Sequence, residues 1–160
     1  MTTTPLTVYG ALVALAASTF GADPDPVQIV DGPLVAEAAR GERLIRFGDI
    51  VGTGDPDALD YGTALEQYVV LVELSVDLAG AGDETVGVAR AAVLGLWDRW
   101  EAAVRDEGGP ARLGMTEAAA DAAGLLAARP SRDFEVKHSA TKRGREALVR
   151  CGVMVTAQRT

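Results

Sequence analysis

Cysteine, histidine and aromatic residues are scarce in this chain, whose 160 residues include one Cys, one His, two Trp, three Tyr and three Phe. A lone Cys151 excludes an internal disulfide framework and a multi-cysteine zinc site. It lines up with Val149 and Val153, which suits a small buried hydrophobe better than an exposed nucleophile. The one histidine, His138, lies in an alternating stretch where imidazoles are ordinarily structural, and a His-Glu-x-x-His pair is impossible. No Gly-x-Ser-x-Gly elbow is present. Basic residues are also few: 15 Lys and Arg against 23 Asp and Glu give a net charge of −8. Such a surface as a whole repels nucleic acid and anionic lipid. No apolar run is long enough to span a bilayer. Leu6 to Ala17 has the apolar character of a signal-peptide core, but no Lys or Arg precedes it.

The stretch from Glu66 to Leu78 is the most informative segment present. Tyr68, Val70, Val72, Leu74, Val76 and Leu78 fall on one side of a pleat, and Val69, Leu71, Glu73, Ser75 and Asp77 on the other. Period-two alternation rich in β-branched residues predicts a strand with one buried face. Its first half is apolar on both sides and is expected to be covered on both. Its second half is expected to turn Glu73, Ser75 and Asp77 to water. At about 3.3 Å per residue the run reaches roughly 40 Å, long for a domain of this size.

Around this strand the chain reads as one domain, 1–160, with an Ala-rich, insertion-like segment at about 108–132 and a C-terminal hairpin at 133–160. Thr4, Pro5 and the stripe Leu6, Tyr9, Val13, Ala16 and Phe20 predict a helix over residues 5–20. Val27 to Val30 and Arg43 to Val51 read as strands. Between them, Leu34 to Glu42 fits a short helix or an irregular connection. Asp83 is placed to cap a second helix carrying Val86, Ala89, Val93, Trp97, Trp100 and Val104 at helical spacing. Thr116 to Ala128 fits a small-faced helix or an ordered loop. Asp133 to Ser139 alternates, Thr141 to Gly144 turns the chain, and Glu146 to Ala157 is the closing strand. The order predicts an α+β fold, an antiparallel sheet of four to five strands flanked by two main helices.

Few groups converge on chemistry. The glycines of residues 52–62 lack both the GxGxxG spacing and a P-loop ending. Asp55, Asp57 and Asp60 are weakly calcium-like, without the frame of an EF-hand. Glu73 and Asp77, on one face of the strand about 7 Å apart, suit a solvated face better than an acid/base pair. No cofactor, metal or enzymatic activity is expected. The charge is divided unevenly: residues 1–107 hold 18 acids and 6 bases, net −12, and residues 108–160 hold 5 acids and 9 bases, net +4. Either the fold mixes the two halves, or a basic arm docks on the acidic body of a neighbour.

The order of a short helix, a strand pair, the strand Glu-Gln-Tyr-Val-Val-Leu-Val-Glu-Leu-Ser-Val, an acid-capped amphipathic helix (Asp83 to Glu107) and the closing strand from Gly144 to Arg159 resembles the tail terminator proteins of long-tailed bacteriophages and related head–tail completion proteins. The resemblance spans residues 5–107 and 144–160 and leaves out 111–132. It implies a non-enzymatic virion protein forming a hexameric ring at the head-proximal end of the tail. That ring caps the tail-tube protein, meets a head connector or stopper protein, and lets DNA pass. It carries no shared chemical residue. On this reading Lys137, Lys142, Arg143 and Arg145, with Trp97 and Trp100, are the candidate interface, and Glu73, Ser75 and Asp77 the candidate lumen face. A neck or stopper protein of the same virion, and a small cytosolic α+β enzyme or ligand-binding domain, are the competing readings.

Overall fold

The structure is a computed structural model, and it describes residues 5–32, 41–52, 59–60, 63–80, 82–105, 113–142 and 144–159. The elements in chain order are α1 (Pro5–Phe20), β1 (Val27–Asp31), β2 (Arg43–Gly52), β3 (Leu59–Asp60), β4 (Thr63–Ala79), α2 (Asp83–Arg105), α3 (Glu117–Ala122), β5 (Leu125–Pro130), β6 (Glu135–Ala140) and β7 (Gly144–Arg159). All seven strands among the described residues join one sheet in the order β1-β2-β4-β7-β5, with the two-residue β3 on β4 and β6 on β7. The fold is α+β, as expected, but the sheet is mixed, because β1 runs parallel to β2 while every other pairing is antiparallel. There are more strands than four or five, and a third, six-residue helix.

The spine is the β4·β7 pair, in continuous register from Ala64↔Arg159 to Ala79↔Gly144. One face of it meets α2, while α1 packs beside α2 over β1 and β2. Tyr68, Val70, Val72, Leu74 and Val76 of β4 pack with Ala147, Val149, Val153 and Val155 of β7 into a single buried cluster with α1 and α2. This is the face that the alternation of β4 predicts. On α1 the buried stripe is Val8, Leu12, Ala16 and Phe20, so the predicted stripe is rotated: Tyr9 and Val13 sit at its margin. On α2 it is Ala89, Val93, Leu96, Trp100 and Val104, with Leu96 in the place expected of Trp97. Phe47 joins the layers, edge-on to Tyr9 at 5.9 Å and to Trp100 at 5.6 Å between ring centroids. Such offset aromatic geometries add to what area burial supplies.

The Ala-rich segment splits where a helix was one expectation. Thr116 caps α3 by accepting the Ala119 N–H, and Gly124, at φ +69°, ends it. Left-handed backbone suits glycine. The chain then reverses into β5, which takes the free edge of β7 from Val153 to Ala157. An Ala-rich run has only weak apolar patterning, and an available strand edge outweighs its helical propensity.

Candidate interface on the open face and edges of the sheet

The sheet face turned away from the helices carries the charged residues singled out above, but in the reverse order of exposure. Ser75 and Asp77 are buried, and Leu71 is 42% exposed. The neighbours explain both results. Ser75 lies in register between Leu44 of β2 and Leu148 of β7, themselves buried, and a small hydroxyl fits between two leucines. Leu71 is in register with Gly152, and Gly48 lies on its other side, so neither flank offers a side chain to cover it. Asp77 and Ser75 are therefore corrected as lumen-facing residues, since their side chains do not reach solvent.

Asp77 instead holds the β6–β7 turn. Its carboxylate accepts from Thr141 Oγ1 at 2.9 Å, and that hydroxyl accepts from the Gly144 N–H at 3.0 Å. Its own N–H donates to the Glu42 carbonyl at 2.8 Å. Glu73 is likewise engaged. One carboxylate oxygen lies 3.2 Å from Arg46 Nη2 and 3.2 Å from Arg150 Nε. Arg150 reaches on to Glu135 at 3.7 Å, and Lys137 to Glu135 at 3.1 Å. The registers Arg46↔Glu73↔Arg150↔Glu135 produce this ladder of alternating charge, since directly opposed residues on one face of a sheet are neighbours.

Two shallow hollows flank the ladder. One, of about 510 Å³, is lined by Arg46, Asp49, Leu71, Glu73 and Arg150. The other, of about 410 Å³, is lined by Val51, Val69, Leu71, Phe134 and Gly152. Val51 and Phe134 are 47% and 57% exposed. The result is an apolar strip beside neutralised charges, suited to packing. Among the described residues no group of three His, Cys, Asp or Glu is placed to hold a metal. None of the described helices is long and apolar enough to cross a membrane.

The remaining candidates scatter. Trp100 is 1% exposed and spent on the core, which corrects its place in an interface. Trp97 is half-buried and stacks on Phe134 at 4.7 Å between centroids, with its Nε1 unbonded. Lys137, Lys142 and Arg145 all lie on the β6–β7 hairpin, where Lys142 is exposed and Arg145 half-buried. Arg143, Asp55 and Asp57 lie outside the described residues, as does the side chain of Asp60. His138 is exposed on β6. Burial, reinforced by the Glu101 charge, pushes the Cys151 thiol up to about 12, which keeps it protonated and unreactive. The sequence reading missed Arg46, Arg150, Glu135 and Phe134. Strand register sets Arg46, Arg150 and Glu135 beside their partners, and Phe134, just before β6, meets Trp97 of α2; the only sequence signal was alternation within the strands.

No protein-family profile and no curated protein sequence matches the chain. Among solved structures it is similar to a chain from the virion of a native gene transfer agent particle, with 18% identity, 94% of this chain and 97% of that one covered, and a TM-score of 0.49.

Proposed function

We propose that this chain is a non-enzymatic structural protein of a phage-like particle, working as one unit over residues 1–160 and assembling into a ring, hexameric on the tail-terminator reading. The ring would cap the tail tube at its head-proximal end and join it to the head or neck, with DNA passing through the lumen. The observation that carries this reading is that the sheet ends in two unlike edges. One is bounded by β1 and the exposed acidic residues Asp25 and Asp31, and the other by a hairpin bearing Lys137, Lys142 and Arg145. Unlike patches on opposite sides of a subunit make a heterologous interface, and heterologous interfaces close into rings or run on as filaments. The sequence resemblance to tail terminators is what supports a ring at that place in the particle. An overall charge of −8 suits a conduit that DNA must slide through without sticking, because phosphate retention needs Lys and Arg.

Light scattering across a concentration series, followed by imaging of particles with the labelled protein, tests the reading. Rings in solution or on tube ends, with the label at the head-proximal end of the tail, are the expected result. A label between the portal and the terminator position would assign the neck or stopper role. A closed monomer or dimer absent from particles would remove the virion reading.

A further inference from the structure

Both lateral edges of the sheet lack a strand partner among the described residues: β1 pairs with β2 alone, and β6 with β7 alone. The outward groups of β6 can be assigned. The Thr141 N–H donates to the Gly144 carbonyl at 3.0 Å, which makes 141 and 144 a hydrogen-bonded pair. Alternation along an antiparallel ladder then directs the N–H and C=O of Ser139, Lys137 and Glu135 toward β7. The N–H and C=O of Val136, His138 and Ala140 point away from the sheet. Natural proteins protect such edges with proline, bulges or charge, lysine above all. β6 contains no proline, its register with β7 is unbroken, and its Lys137 is already paired to Glu135.

The two edges match each other in three respects. The first is direction. Counting across β1, β2, β4, β7 and β6, the latter runs opposite to β1. A second copy placed beside the first in the same orientation therefore brings its β1 antiparallel to β6. The second is facing. Ile29, in register with Ile45, and Val136 and His138, in register with Val149 and Ala147, all lie on the helix-covered face. A joined sheet would keep its apolar face continuous. The third is charge. Residues 22–31 hold the exposed acids Asp25 and Asp31 and no base, whereas residues 132–142 hold exposed Arg132 and Lys142 with Asp133 and the paired Lys137 and Glu135. Phe134, 57% exposed at the head of β6, offers an apolar anchor at the same edge.

We propose that β1 of one copy adds as an antiparallel strand to β6 of the next, so that the sheets of neighbouring subunits run together. This rests on the ring reading and names the joint within it. Strand addition takes its strength from main-chain hydrogen bonds and its selectivity from the alternate side chains. A head-to-tail joint of this kind uses β1 and β6 of every copy, and so leaves neither of these two strands unpaired when a ring closes.

The test is disulfide trapping of the full chain carrying Ile29→Cys and His138→Cys, with Ile29→Cys plus Val136→Cys covering a slipped register. Buried Cys151 serves as an internal silent thiol. Under mild oxidation, one of the double variants is expected to give a ladder of trimers and larger species on a non-reducing gel, and each single variant only monomer. A dimer from His138→Cys alone would overturn the proposal in favour of a two-fold β6–β6 joint. Absence of crosslinks from both double variants, while light scattering shows rings, would overturn the joint and leave the ring standing. Absence of both crosslinks and rings at every concentration would overturn the two together.

Discussion

Arg99 of α2 grips Asp23 through both terminal guanidinium nitrogens, each 2.6 Å from a carboxylate oxygen, across a gap of 76 residues in the chain. The same side chain donates to the Thr19 carbonyl at 2.9 Å and lies 5.0 Å above the Phe20 ring. One arginine thus ties the end of α1 to the middle of α2 and closes the helical layer. The bond from Arg99 holds the Asp23 carboxyl below its usual range. A lowered carboxylate pKa stabilises the fold above the unfolded value, about 3.9, and that support fades as pH falls through the folded value. Arg99→Leu is expected to cost about 1 kcal/mol at pH 7, small because the pair is partly open to solvent. It should also flatten the acid limb of the stability profile below about pH 4. Urea melts from pH 2 to 7 measure both.

Asp77 anchors the β6–β7 turn from the middle of the sheet. Asp77→Ala leaves Thr141 Oγ1 without its acceptor in a half-buried place, and a lost charged hydrogen bond of this kind costs about 2 kcal/mol. Asp77→Asn keeps an acceptor oxygen and is expected to recover at least half of that. Amide exchange should quicken at Ser139 and Thr141 in the alanine variant while the amides of β4 stay protected.

Gly144 begins β7 where β4 ends. A Cβ there would overlap the Leu78 carbonyl, with Ala79 Cα and the Gly80 nitrogen both at 2.9 Å. Backbone atoms cannot swing aside, so Gly144→Ala should destabilise by about 1–3 kcal/mol, the usual cost of overpacking. Chemical denaturation reads it directly. Gly95, with nothing within 4 Å of a built Cβ, is the control. Gly95→Ala should stabilise α2 by up to about 1 kcal/mol.

Cys151 gives a prediction at the opposite end of the pH scale. A thiol ionises to an anion, and burial raises its pKa to about 12 from the ordinary value near 8.5. The folded state therefore binds the proton more tightly, so stability is full below about pH 8.5 and is lost as pH rises toward 12. Cys151→Ala should flatten the alkaline limb of the profile. In the native protein the thiol should resist a disulfide reagent at pH 8 and react fully once the chain is unfolded in urea.

Local pattern alone marked out the strand at Glu66 to Leu78, its helix-covered face from Tyr68 to Val76, and both long helices, because alternation and 3.6-residue spacing are properties of consecutive residues. Tertiary structure decided what pattern cannot hold. The far face of β4 is buried or open according to neighbours from distant segments: Leu44 and Leu148 bury Ser75, while Gly48 and Gly152 leave Leu71 bare. Register alone set Glu73 between Arg46 and Arg150. The parallel β1–β2 pairing and the conversion of residues 125–130 to strand depended on which edges were free to accept hydrogen bonds. A strand carries its own periodicity in its sequence, but its partners reach it through the folded chain, and a shift of one residue would exchange its two faces.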